Sequence, residues 1–324
     1  MTAAHPSIRV TRRLPAKVEG VLAERLGARL NPDDAPLDRY ELADAMRNAD
    51  ILVPTITDRI DAELLKAPGN RVRLIANYGA GVDHIDLVAA RAAGIAVTNT
   101  PDALTEATAE LAILLMLMAA RRAGEGEREV RAGAWTGWRP THLIGNGLHG
   151  RVLALVGFGR IAQATAAKAR GLGMTIRYVS RSPVDPAVRA RLAAEPADTL
   201  VDLVRDADVV SLHTPGGAAT RHMIDRNLLR AMQPHAVLVN TARGSVIDEA
   251  ALVEALDAGW IGAAALDVYA EEPAVHPGLL AHPRSVLLPH LGSATIEARV
   301  AMGMQAIANI DAFLSGKALP NHVA

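Results

Sequence analysis

LALVGFGRIAQATAAKARGLGM (residues 153–174) decides the fold. An apolar run stops at Gly157, a second glycine follows at Gly159, and a helical pattern opens at Arg160 and Ile161. Strand, tight turn and helix in that order open a parallel βαβ unit. Gly157 permits the bend, and Gly159 lets a pyrophosphate approach the backbone at the helix N-terminus, where unpaired N–H groups favour an anion. Ala162, at the third position, is small enough for close helix–sheet packing. A G-x-G-x-x-A turn alone is a weak signal, since such turns also serve packing. The flanking strand, helix and next strand make it a dinucleotide site.

The next strand pattern ends in RYVSRSP (177–183). A carboxylate at this place accepts hydrogen bonds from the ribose hydroxyls of NAD and repels a 2′-phosphate. Here stand Ser180, Arg181 and Ser182, two hydroxyl donors around a planar cation suited to phosphate. A solvated loop has the same composition, but the position favours NADPH (NADP), with NADH (NAD) as the alternative.

Outward from this unit, strand and helix patterns alternate in two blocks. IRVTR, DILVPT, RVRLIANY and IAVTN form the first; VLALV, TIRYVS, DVVSLH, AVLVNT, AAALDVY and VLLPH form the second. Helical patterns lie between most of them, which predicts an α/β protein of parallel, doubly wound sheets with right-handed crossovers. A long helical pattern, LTEATAELAILLMLMAARR, leads out of the first block, and AGAWTGWRPTHLIGNGLHG reads as a connection. ATIEARVAMGMQAIANIDAFLSG reads as a last helix.

The bulk properties narrow the function classes. A chain of 324 residues is too long for one ordinary core, so two domains are expected. Thirty-four basic and 35 acidic residues give a net charge of −1, which offers nucleic acid no basic surface. Cysteine is absent, which excludes disulfides, thiol catalysis and cysteine-ligated metals and fits a reducing cytoplasm; no metal site is expected. The start, MTAAHPSIRVTRRLPAK, lacks the apolar core of a signal peptide. LAILLMLMAA (111–120) is too short to span a bilayer, so no membrane partner is expected, and it reads as a buried helix or subunit contact.

Four residues follow strand patterns of the second block: Arg243, Asp267, Glu272 and His290. Ligands of open α/β sheets bind beyond the carboxyl ends of the strands, so all four belong near the rim that holds the glycine turn. There Arg243 can pair with the carboxylate and carbonyl oxygen of a 2-oxo acid, and a protonated His290 can deliver a proton to the developing alkoxide. Glu272 would hold the other imidazole nitrogen, and Asp267 could accept the nicotinamide carboxamide or support Arg243. A lone arginine after a strand is usually a surface ion pair and a lone histidine usually structural; the shared rim carries the reading. In the first block, NYGAGVDHIDL follows a strand, and Gly79, Ala80 and Gly81 could present backbone N–H groups to a carboxylate or form a structural turn.

Together, NYGAGVDHIDL, VTNTPDALTEATAELA, VGFGRIAQ, NTARGSVIDEAAL, ALDVYAEEP and LPHLGSAT resemble the D-isomer-specific 2-hydroxyacid dehydrogenases, particularly the glyoxylate/hydroxypyruvate reductase branch, over nearly the whole chain. The resemblance implies a Rossmann cofactor domain (103–291) inserted into a flavodoxin-like substrate domain made from both chain ends (1–102 and 292–324). It implies Arg243, Glu272 and His290 as the catalytic set, with the amides of Ala80 and Gly81 on the substrate carboxylate. Thr108, Thr214, Pro215, Asp267 and Gly292 match cofactor-contacting positions, and a homodimer through the cofactor domains is implied. Departures are Ala162 for the usual glycine and HTPGGAATRHMI, which differs from the usual sequence after Pro215. WTGWRP resembles the same branch, which makes Trp138 a candidate substrate wall, although it and Trp135 could serve packing alone. The expectation is NADPH-dependent reduction of a small 2-oxo acid. Its rivals are an NADH-dependent relative and a non-catalytic dinucleotide sensor, which would need no proton donor.

Overall fold

The computed structural model describes residues 6–324, so the first five residues of the stretch read for a leader lie outside the described residues. The chain divides into two compact units, Met1–Leu104 with Ser293–Ala324, and Thr105–Gly292.

The first unit carries four parallel strands, β1 (Ile8–Val10), β2 (Ile51–Val53), β3 (Leu74–Ala76) and β4 (Ala96–Thr98), side by side in sequence order. A single parallel bridge from Arg29 to Arg9 adds one more segment outside β1. With it the order becomes second, first, third, fourth, fifth, that of flavodoxin-like sheets. One face of the sheet packs Ile8, Val10, Ile51 and Leu74 against Met302, Ile307 and Ile310 of the helix Ile296–Leu314. The other gathers Leu52, Ile75 and Val97 with Leu42, Met46, Leu64 and Ala90 of the intervening helices.

The second unit holds β5 (Val152–Val156), β6 (Thr175–Val179), β7 (Ala194–Pro196), β8 (Val209–Leu212), β9 (Val237–Asn240), β10 (Ala263–Leu266) and β11 (Ser285–Leu287). Their spatial order is 11-10-9-8-5-6-7, all parallel. β8, β9 and β10 are buried along their whole length, as expected of strands covered on both faces, which is why they read as mostly apolar runs, with Ser211 and Asn240 as their polar members. Alternate residues serve opposite cores. Ala154, Val156, Leu212 and Leu238 face Leu203, Leu229 and Leu252 from three helices; Leu153, Leu155, Val209 and Val239 face Leu115, Met116, Ala162 and Ala166 from two others. Each fully buried leucine of this kind contributes about 1.5–3 kcal/mol.

Every strand pattern read in the sequence forms. β7 was not anticipated, because Ala-Glu-Pro carries no apolar pattern and Pro196 is tolerated only at the edge it occupies. The helix Ala123–Arg131 was missed as well; its two glycines and charges mask the period, and none of its residues is buried. Thr105–Ala120 packs on the helix Arg160–Gly171 and on β9 and β10, with Leu114 and Leu117 exposed. Among the described residues, no helix is long and apolar enough to cross a membrane.

Candidate active site

β5 delivers Gly157 at its carboxyl end with φ +89°, and a Cβ there would lie 2.7 Å from the carbonyl oxygen of His213 at the tip of β8. Only glycine meets both demands. This is also where the strand order reverses: the chain winds from β5 to β6 and β7, then crosses to β8 on the far side of β5. Ligands of doubly wound sheets bind at such a switch point. Burial holds the His213 imidazole neutral by lowering its pKa to about 4, and Ser211 Oγ lies 2.9 Å from its Nε2.

Four of the eight α-helices of this unit start at an aspartate or threonine whose side chain accepts a first-turn N–H: Asp185, Thr199, Asp225 and Asp248. The helix Arg160–Gly171 starts instead at Gly159, with no side-chain cap, and a Cβ on Gly159 would meet nothing within 4 Å. Uncapped N–H groups beside an open approach fit a pyrophosphate. Thr214 Oγ1 and Thr241 Oγ1, just past β8 and β9, are buried with no hydrogen-bond partner among the described residues, leaving polar capacity for a bound group. Past β6, the side chains of Ser180, Arg181 and Ser182 are exposed and engage no described residue. Arg160 is exposed but takes part in an interaction within the protein, Ile161 is half-buried, and Pro215 is exposed.

Three neighbouring strand ends bring Arg243, Glu272 and His290 together as the candidate cluster. After β9, Asn240 fixes a turn: its Nδ2 donates to the Arg243 carbonyl at 2.8 Å and its Oδ1 accepts the Ala242 N–H at 2.9 Å. After β10 comes Glu272, whose Oε1 accepts the Tyr269 N–H at 3.1 Å. After β11, His290 takes the left-handed φ of +55°, rare for a residue with a Cβ, and its N–H donates to the Asp267 carbonyl at 2.9 Å. His290 Nδ1 and Glu272 Oε2 lie 2.8 Å apart. Burial pushes the Glu272 carboxyl up, but the hydrogen bond and charge of His290, the Tyr269 N–H and the charge of Arg243 outweigh it, so the group lies below the usual glutamate range. The arginine, glutamate and histidine are thus within electrostatic reach of one another.

Asp267 and Thr108 serve this cluster through the backbone. The buried Asp267 carboxylate accepts Leu291 N–H on one oxygen at 2.6 Å and Gly292 N–H on the other at 2.8 Å. Burial raises its pKa, partly offset by those donors and by the charge of His290. Thr108 Oγ1 donates to the Gly292 carbonyl at 3.0 Å. Both therefore pin the turn that follows His290, which the sequence reading did not foresee. Gly244 was missed too. A Cβ there would fall 1.8 Å from the Tyr269 carbonyl carbon, so the turn carrying Arg243 lies directly on the segment leading to Glu272. The glycine inside NTARGSV was the available signal.

In the other unit, the turn after β3 holds Ala80 and Gly81, whose N–H groups meet no acceptor among the described residues. Trp138 is 82% exposed on the irregular segment 132–150, and no ring contact among the described residues ties it to His290.

The family model for the D-isomer specific 2-hydroxyacid dehydrogenase, NAD binding domain, matches residues 113–292. A glyoxylate reductase of Thermococcus litoralis is 42% identical over 323 residues, spanning 98% of this chain and 96% of its own. Among solved structures, a glyoxylate reductase from Paecilomyes thermophila superposes with a TM-score of 0.88 at 33% identity, covering 99% of both chains. An NADPH-dependent glyoxylate/hydroxypyruvate reductase from Sinorhizobium meliloti, in complex with NADP and malonate, gives 0.87 at 33% identity, covering 99% of this chain and 97% of its own. Likeness of this depth along almost the entire length makes the chain a member of the D-isomer specific 2-hydroxyacid dehydrogenases, NAD(P)-dependent oxidoreductases.

Proposed function

We propose that this chain reduces small 2-oxo acids, glyoxylate to glycolate and hydroxypyruvate to D-glycerate, with NADPH as reductant. The observation that carries the reading is the 2.8 Å pairing of His290 with Glu272, beside Arg243, at the rim of the dinucleotide-type sheet. When bound, the dinucleotide supplies the hydride. Arg243 pairs with the substrate's carboxylate and carbonyl oxygen, drawing electron density from the carbon to be attacked. His290 donates a proton from Nε2 to that oxygen as negative charge develops, while Glu272 holds Nδ1 and favours the charged ring. The amides of Ala80 and Gly81 take the carboxylate.

Gly157, Gly159 and the helix beginning at Arg160 and Ile161 receive the pyrophosphate. Thr214 and Pro215 border it, and Asp267, Thr108 and Gly292 set the floor near His290. Ser180, Arg181 and Ser182 receive the 2′-phosphate; their unengaged side chains support NADPH over NADH. Trp138 has a ring exposed enough to serve as a substrate wall. Leu114, Leu117, Val130 and Ile144 leave apolar surface on this unit, which supports a homodimer through it. The test is steady NADPH oxidation with either acid, lost in His290→Ala. Tight NADPH binding without turnover of any 2-oxo acid would refute the reading.

A further inference from the structure

We propose that Asn77 and Asn99 are positioning residues that aim the substrate-binding amides by taking up the carbonyls of the turn Gly79–Gly81. The proposal rests on the reading that the Ala80 and Gly81 amides hold the substrate carboxylate. Asn77, fully buried just past β3, donates from Nδ2 to the Gly79 carbonyl at 3.0 Å and to the Gly81 carbonyl at 2.9 Å. Asn99, just past β4, donates from Nδ2 to the Ala80 carbonyl at 2.8 Å. The Thr100 N–H adds a second bond to the Gly79 carbonyl at 3.0 Å. Three successive carbonyls are therefore held by two side-chain amides.

The consequence follows from the planar trans peptide, in which C=O and the next N–H point in opposite directions. Fixing the Gly79 carbonyl fixes the Ala80 N–H pointing the other way; fixing the Ala80 carbonyl does the same for the Gly81 N–H. Those are the two amides assigned to the carboxylate. Without the asparagines, a short turn can flip a peptide and present an oxygen, which repels an anion. The residue type is also dictated. Two carbonyls face Asn77 Nδ2, so that atom must be the nitrogen, and Oδ1 is left to accept from His84 Nε2 at 3.0 Å. His84 thus carries a proton on Nε2 and locks the asparagine in its orientation.

The experiment uses the full chain with NADPH, glyoxylate as substrate and oxamate as an unreactive carboxylate probe. Asn99→Ala and Asn77→Asp are each expected to raise the KM for glyoxylate about tenfold or more and to weaken oxamate by a similar factor. KM rises more than kcat falls, and the dissociation constant of NADPH stays within about twofold of the parent. Asn99→Ala removes one hydrogen bond and decides the case should Asn77→Asp not fold. Unchanged oxamate affinity in a variant of an enzyme that reduces glyoxylate overturns the proposal. So does parallel loss of kcat, NADPH affinity and thermal stability, the signature of a merely structural role. A parent protein that neither turns over glyoxylate nor binds oxamate overturns the functional reading itself, and this assignment with it.

Discussion

Glu272→Gln removes the charge that tunes the proposed proton donor. The carboxylate uses Oε1 for the Tyr269 N–H and Oε2 for His290 Nδ1, whereas glutamine offers one oxygen, so the variant keeps that acceptor for His290 at the expense of the Tyr269 bond and loses the carboxylate charge. Opposite unit charges about 4 Å apart attract by roughly 4 kcal/mol at an effective dielectric constant near 20, which sets the ceiling. The two side chains are 28% and 34% exposed, so solvent screening brings the expected effect to about 1–3 kcal/mol. At about 1.4 kcal/mol per pH unit, the alkaline fall of kcat/KM should move to lower pH by roughly one to two units. Because the Glu272 carboxyl lies below the usual range, its favourable pairing is present above the ordinary glutamate value and is lost only as pH falls through the lowered one. The Glu272 carboxylate is therefore charged at and above about pH 5, where NADPH oxidation with glyoxylate is followed. The variant should lose about 10–100-fold near pH 8 and much less near pH 6. Superimposable profiles, or a uniform loss with no shifted limb, would show that the carboxylate does not tune His290.

Arg243→Ala should lower kcat/KM by about 10²–10³-fold while NADPH still binds, measured by kinetics and direct titration; a collapse of NADPH affinity instead would move Arg243 into the cofactor site. Gly244→Ala puts a methyl group 1.8 Å from the Tyr269 carbonyl carbon, so one of the two segments must shift by more than 1 Å. A loss of about 10²-fold or more in kcat/KM, with stability down by roughly 1–3 kcal/mol in thermal melts, is expected. Ser180→Asp with Arg181→Ile should turn the ratio of kcat/KM values toward NADH; an unchanged ratio would mark the segment after β6 as a loop with no part in cofactor choice.

Legibility differed between the two sheets and the contacts around them. Strands buried on both faces announce themselves, and β8, β9 and β10 were visible as largely apolar runs because a polar residue there, such as Ser211 or Asn240, needs a hydrogen-bond partner. Gly157 was legible because strand, glycine and helix stand next to each other in the chain. Arg243, Glu272 and His290 could be placed on one rim by their distances from strand ends, but the bond between Glu272 and His290 joins residues 18 apart and needs the fold. Part of the work of Asp267 was not legible for a related reason. A buried acid in a ligand crevice suggests a ligand contact, yet both its oxygens hold backbone amides 24 and 25 residues away. Gly244, Asn77 and Asn99 act by touching backbone, and backbone has no letter in the sequence.

The division of the chain has a consequence during synthesis. The helix Ile296–Leu314 that covers Ile8, Val10, Ile51 and Leu74 leaves the ribosome only after the 188 residues of Thr105–Gly292. At about 5–20 residues per second, the nascent sheet waits roughly 10–40 s with one greasy face bare. The inserted unit, continuous in the chain, is complete first; the split one keeps an apolar face uncovered until its last helix arrives.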